Sequence, residues 1–406
     1  MPAPVVIVGA GQAAAAFISR HVALGNAAPL LLIGKESHPP YQRPPLSKKY
    51  LLGQLELERL FIRPLEWYAE QGVETRFSTC IVEIRRADKQ VVSADGDVID
   101  YDRLILCTGS RPRKLPADAG GNLPGVYTLR DIDDIDMMSA EFKAGRRLLI
   151  VGGGYIGLEA AAAGRQLGLE VTLLEMADRI LQRVAAQATS SYFRKLHSDH
   201  GVDIRESARM LRLLDKAGRV CGAEMENGTI IDADLVLVGI GASPNTELAA
   251  AAGLDCDNGI CVNEICQTAD TNIFAAGDCT SFTRDGMQIR LESVQNAADQ
   301  GDLIARVLAG EDVTYTALPW FWSDQYDCKL QIVGLNLGHD QTVIRRGASE
   351  SSMSVWYYRG DRLLAIDAMN DPRAYAFGRK MIAAGKNPTQ QQVADPTTDL
   401  KALAES

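Results

Sequence analysis

The sequence predicts an α/β protein with two related parallel-sheet modules, one inserted in the other, followed by a smaller α+β domain. Three observations carry this. A glycine fingerprint between an apolar strand and an alanine-rich helix occurs twice. A hairpin leading into a second apolar strand recurs downstream of each copy. Beyond residue 317 neither pattern returns, and the chain opens instead on a run of rings, "LPWFWSDQYD".

The first fingerprint lies in "VVIVGAGQAAAAFISRHVAL", as Gly9-x-Gly11-x-x-Ala14. The first glycine makes a tight turn, the second lets backbone approach a pyrophosphate, and the small third residue lets helix and strand pack closely. The free N–H groups of the helix start then face the phosphates. The second copy, "RLLIVGGGYIGLEAAAAGRQLGLEVTLLE", carries Gly152-x-Gly154-x-x-Gly157, with Tyr155 and Ile156 expected in the same site. Its next strand ends in Glu175, at the spacing of about 20 residues that suits a ribose diol. A carboxylate there repels the 2′-phosphate of NADP, so NAD(H) is expected, although Arg179 and Arg183 follow closely. In the first module the corresponding acid is Glu36, beside Lys35. Both modules therefore read as Rossmann-like dinucleotide-binding folds.

The second repeat pairs "DGDVIDYDRLILCTGSRP" (95–112) with "NGTIIDADLVLVGIGASP" (227–244). Each has a DG or NG hairpin signal, a buried strand and a closing glycine. After the second copy, "TADTNIFAAGDCTSF" sets Gly277-Asp278 behind an apolar strand, where an acid can hold a polyol such as a flavin's ribityl chain. "RLESVQNAADQGDLIARVL" then starts a helix near Glu292–Asn296, and Ser293 and Val294 at its start offer N–H groups to a flavin's pyrimidine edge. The first module is thus discontinuous, 1–112 plus 242–317, and binds FAD. The inserted module, 113–241, binds NAD, and 318–406 forms the α+β domain.

Composition narrows the function. A net charge of −10 argues against nucleic acid or an anionic membrane as the main partner. No apolar run approaches the roughly 18 residues of a membrane span, so a cytoplasmic protein with reduced thiols is expected. Cys256, Cys261 and Cys266 are evenly spaced but lack the paired short gaps of zinc sites, and are expected to be small buried side chains. His197 and His200, in "KLHSDHGVD", are expected at a solvated helix end rather than at a metal; no metal site is expected anywhere. The chemistry must then come from a bound cofactor.

Four segments, "PYQRPPLSKKYL" (40–51), "GGGYIGLE", "ESVQNA" and "PWFWSDQ", resemble the oxygenase-coupled NADH–ferredoxin reductases, the putidaredoxin reductase-like branch of the glutathione reductase superfamily. Disulfide reductases of that superfamily carry a CxxxxC pair after the first fingerprint, whereas this chain reads Tyr41 to Lys48 there with no sulfur. The resemblance implies FAD and NAD as cofactors and direct exit of electrons from the flavin. It implies Lys48 beside the flavin, paired with Glu159, and FAD contacts from Arg43, Arg111 and Arg130. Thr108 and Gly109 pass close to the same cofactor, and Gly241 lies near the nicotinamide. Trp322 is the ring nearest the flavin, with Trp320 supporting it. The implied partner is an acidic two-iron ferredoxin that feeds an oxygenase, docking on Arg63, Arg290, Lys329, Lys380 and Lys386. A monomer or weak homodimer is expected. The competing readings are an NADH oxidase or diaphorase using oxygen or quinone, and a redox-sensing protein like apoptosis-inducing factor.

Overall fold

A computed structural model describes residues 3–405. The chain forms two compact units. One takes the chain up to Arg43, then Leu55–Arg111 and Ala242–Ala317. The other takes Pro44–Gln54, Pro112–Gly241 and everything from Leu318 onward.

The first unit is built on five parallel strands, ordered Ile273–Ala275, Arg103–Leu106, Val5–Val8, Leu30–Ile33 and Val73–Arg76. Strands Val5–Val8 and Leu30–Ile33 are apolar at every position because both faces are covered, as parallel sheets require. Val5, Ile7, Leu30, Leu32 and Ile105 join helices Gln12–Ala23 and Val294–Leu308 in one core. Val6, Val8, Leu31, Ile33, Leu104 and Leu106 join a second core, closed by the antiparallel sheet Ile81–Arg85, Gln90–Ser93 and Val98–Asp100. Ala14 is fully buried between helix and sheet, which explains a small residue at the third fingerprint position.

The second unit repeats that plan. Five parallel strands run in the order Asp203–Arg205, Glu170–Leu174, Arg147–Val151, Leu235–Val238 and Val126–Tyr127. Again a three-stranded antiparallel sheet, Met210–Lys216, Arg219–Met225 and Ile230–Asp232, packs alongside. The same unit holds a five-stranded antiparallel sheet, ordered Trp320–Gln325, Cys328–Gly334, Arg362–Met369, Met353–Arg359 and Gln341–Arg346. Helix Pro372–Ala383 packs on it, its Ala374 and Met381 sharing one core with Trp356, Tyr358 and Ile366 of the sheet.

Three features depart from the sequence expectation. The segment 44–54, assigned by sequence to the first module, packs in the second unit, where Leu46–Tyr50 forms a wide helical turn against the start of helix Tyr155–Gln166. His197 is not solvated. It is fully buried on helix Gln187–Asp199 by the C-terminal sheet, and only His200 is exposed. The cysteines are all free, and of the evenly spaced trio only Cys266 is buried. Among the described residues no group could hold a metal ion, and no helix is long and apolar enough to cross a membrane.

Candidate active site

The two fingerprints have the same geometry. Gly9 has φ +108, and a Cβ there would lie 2.1 Å from the Cys107 carbonyl oxygen; Gly152 has φ +112, with the Gly239 oxygen 2.4 Å from the same point. Each turn is therefore wedged against the closing strand of its own sheet, and only glycine fits. By contrast, nothing lies within 4 Å of where Cβ atoms on Gly11 and Gly154 would be. Both residues cap helices that have no side-chain cap, leaving first-turn N–H groups available to an anion.

Around the first fingerprint, Glu36 accepts from Arg43 Nη2 at 2.5 Å and from the Tyr41 hydroxyl. Thr108 and Asn245 bond reciprocally, each pair of atoms 2.7 Å apart, while Arg111 reaches Asn245 Oδ1 at 2.8 Å and pairs with Glu247. Gly109 and Gly277 both take positive φ. Asp278 accepts from Ser110 Oγ at 2.9 Å, and Gly277 N donates to the buried Gln300 Oε1 at 2.7 Å. Ser293 caps the next helix through Asn296 N at 3.0 Å, one residue before Val294.

Around the second fingerprint, Glu175 accepts from Gly153 N through Oε2 and from Ala177 N through Oε1, both at 2.8 Å. Arg179 is turned onto Ser190, whereas the Arg183 guanidinium lies beside Gly241. Ile156 is half-exposed; Tyr155 is partly buried, and its buried hydroxyl has no partner. Arg130 lies in this unit, its backbone N–H donating to Asp134.

Lys48 and Glu159 are an ion pair, Nζ to Oε2 2.7 Å, with exposures of 18% and 5%. A carboxylate that deep stays charged only if its oxygens are satisfied. Ser47 Oγ donates to Oε2 at 2.6 Å and Ser323 Oγ to Oε1 at 2.7 Å, so one acid from a helix otherwise rich in alanine receives three donors. Ser323 sits on strand Trp320–Gln325. The strand's alternation puts Trp320 and Trp322 on one face, 5.4 Å apart, and Ser323 and Gln325 on the other.

Residues 3–301 match the family described as pyridine nucleotide-disulphide oxidoreductase, and residues 320–404 match the reductase C-terminal domain. The chain belongs to the pyridine nucleotide-disulphide oxidoreductase family. It is 41% identical to rhodocoxin reductase of Rhodococcus erythropolis, over 98% of this chain and 93% of that one. It is 42% identical to the ferredoxin–NAD(+) reductase component of the anthranilate 1,2-dioxygenase system of Burkholderia cepacia, over 98% of both. The crystal structure of the covalent putidaredoxin reductase–putidaredoxin complex superposes with a TM-score of 0.96 at 39% identity, covering 100% of this chain and 98% of the reductase.

As in its family, the cofactors of this oxidoreductase are FAD and NAD(H). The residues present fit two dinucleotides: two uncapped helix starts behind open glycines, the second with the Glu175 carboxylate beside it. Several polar residues of these sites escaped the sequence reading. Ser47, Ser323 and Asn245 carry no local motif, and each bonds to a group more than a hundred residues away. The proposed docking cations are unevenly available. Arg290 is paired with Glu292 at only 12% exposure, and Lys386 donates to the Ala404 carbonyl at 2.8 Å. Arg63 lies over the Trp67 ring and Lys380 over Phe377, while Lys329 is exposed.

Proposed function

We propose that this protein is an FAD-dependent NADH:ferredoxin oxidoreductase. It oxidises NADH and reduces two molecules of a two-iron ferredoxin that serves an oxygenase, releasing NAD⁺ and one proton. The bound flavin supplies the chemistry, accepting a hydride and returning electrons one at a time. The carrying observation is the Lys48–Glu159 pair, in the stretch where disulphide-using relatives hold redox sulfur. No cysteine occurs anywhere from 35 to 54. Burial pushes the Cys107, Cys266 and Cys279 thiols up, away from the thiolate that exchange needs.

In this reading Gly9, Gly11, Arg43, Thr108, Gly109, Arg111, Gly277, Asp278 and the Ser293–Val294 helix start hold FAD, with Glu36 on its ribose and Arg130 as a further contact. Gly152, Gly154, Gly157, Tyr155, Ile156, Glu175 and Gly241 hold NADH. Lys48 and Glu159 keep local charge steady as hydride arrives. Trp322, backed by Trp320, shields the flavin edge from bulk water. An acidic ferredoxin would meet Arg63, Lys329 and Lys380, with smaller parts for Arg290 and Lys386. A cytoplasmic location suits the free thiols.

Alkylation provides the test. Cys80 and Cys256 are exposed, so a thiol reagent will reach them. NADH-driven reduction of ferredoxin is expected to survive treatment. Loss of ferredoxin reduction with flavin reduction intact would refute the reading.

A further inference from the structure

Glu159 is the end of a longer chain of bonds that runs back through the C-terminal sheet into helix Gln187–Asp199. Ser323 Oγ lies 2.7 Å from Glu159 Oε1, Gln325 Nε2 lies 3.0 Å from Ser323 Oγ, and His197 Nε2 lies 2.7 Å from Gln325 Oε1. Ser323, Gln325 and His197 are all within 1% of full burial.

The carboxylate dictates the direction of every bond. An ionised Glu159, held by Lys48, can only accept, so Ser323 must donate to it. The Ser323 oxygen is then free to accept, which orients the Gln325 amide with its NH₂ toward the serine. The Gln325 carbonyl oxygen faces His197, which therefore carries its ring proton on Nε2. His197 Nδ1 is left as a buried acceptor without a partner, which costs less than a stranded N–H. Burial holds the His197 pKa down at about 4, consistent with a neutral ring. Aligned dipoles in a low-dielectric interior reinforce one another, and here all of them point at one carboxylate.

Polar side chains at two successive inward positions of one strand are an expensive way to fill a core. Apolar residues of similar volume would pack there at no desolvation cost. We infer that Ser323, Gln325 and His197 are positioning residues that, by donating in series toward Glu159, fix the charge balance of the Lys48–Glu159 pair and so tune the flavin's reduction potential. This rests on the proposal that the pair serves the flavin. Reduction adds negative charge to the flavin. Weakening the donors to Glu159 leaves its carboxylate less neutralised and draws Lys48 more tightly to it, so both effects make reduction harder.

The test uses the FAD-loaded protein, its flavin midpoint potential and its visible spectrum. Ser323→Ala is expected to disfavour the reduced flavin about tenfold, a two-electron shift of ~30 mV toward negative potential. Ser323→Cys, a weaker donor, should fall between, and carries the comparison if the alanine variant loses FAD. Gln325→Met, which cannot donate to Ser323, should shift the potential in the same direction by about threefold. In a Glu159→Gln background, Ser323→Ala should add nothing. If Glu159→Gln shifts the potential but Ser323→Ala or Gln325→Met leaves it within measurement error, the series arrangement is refuted. An additive double variant also refutes it, since Ser323 would then act by another route. If Glu159→Gln itself leaves the potential unmoved, the pair does not serve the flavin, and the inference falls with that reading.

Discussion

The carboxylate of Glu175 is clamped between the glycine fingerprint and the turn that follows its own strand, 2.8 Å from Gly153 N and 2.8 Å from Ala177 N. The clamp pins a negative charge beside the turn proposed to receive NADH. Its neighbour Arg179, the residue best suited to neutralise a 2′-phosphate, is instead committed to Ser190.

Glu175→Gln therefore separates the two nicotinamide cofactors. The amide keeps the volume but loses the charge, removing both a strong acceptor for a ribose diol and the repulsion of a phosphate. kcat/KM with NADH should fall about tenfold, the scale of one charge-assisted bond of roughly 1.5 kcal/mol. kcat/KM with NADPH should rise. Steady-state assays with both cofactors measure the ratio, and an unchanged ratio would remove Glu175 from discrimination.

Removing one partner of a buried ion pair costs more than removing both. Lys48→Met leaves Glu159 charged and buried, with only the Ser47 and Ser323 hydroxyls to satisfy it. A loss of about 2–3 kcal/mol is expected, below the 3–5 typical of fully stranded charges because those donors remain. Adding Glu159→Gln should restore more than half of it. Urea midpoints of the two single variants and the double variant give the cycle; equal losses in the Lys48→Met single and the double variant would show that the pair is not the source.

The fingerprints, the paired hairpins and Gly277-Asp278 were legible in the sequence because each depends on residues within a few positions of one another. A turn wedged like Gly9 demands glycine whatever surrounds it. The Glu159 cluster was legible only as a family expectation for Lys48. Its serines come from the 44–54 turn and the C-terminal sheet, and no local pattern marks a serine as a donor to a distant acid. His197 was misread for a related reason. The buried face of its helix carries Thr189, Ser190 and His197 beside Phe193, which reads as a solvated face until the C-terminal sheet covers it.

Two buried groups in the second unit give stability opposing responses to pH. Burial lowers the His197 pKa to about 4, so the unfolded chain binds a proton first as pH falls, and stability is lost between about 6.5 and 4. Burial raises the Asp367 pKa to about 6, despite bonds from Tyr357 and from Thr189 Oγ1 at 2.7 Å. An acid with a raised native pKa has the reverse sign: its contribution is lost as pH rises from about 4 to 6 and regained on acidification. Each contributes ~3 kcal/mol, so the two largely cancel where their pH ranges overlap. Asp367→Asn removes one side of that balance. The variant should be more stable than the parent at pH 7 and lose stability more steeply between pH 6.5 and 4.5. Urea midpoints across that range test this, and parallel profiles for parent and variant would refute it.

Arg345 is 8% exposed and spends its guanidinium on four backbone carbonyls: Val393 at 3.0 Å, Asp395 at 2.6 Å, Pro396 at 3.1 Å and Thr398 at 2.8 Å. Those carbonyls belong to helix Gln390–Ala394 and the turn after it, which leads into helix Leu400–Glu405. Neither helix is long enough to be stable alone. Their attachment is therefore expected to depend on this clasp and on Val393 and Leu400 in the core. Arg345→Met keeps the aliphatic stem but abandons all four acceptors. Water can reach the exposed turn, which limits the loss to about 2–3 kcal/mol, well short of the sum of four charged bonds. The damage should be local. Hydrogen exchange is expected to quicken across 390–405 and remain slow in strands Met353–Arg359 and Arg362–Met369, while bound flavin and its NADH reduction are unaffected. Uniformly faster exchange through the whole C-terminal sheet would mean that Arg345 supports the domain as a unit rather than its terminal helices.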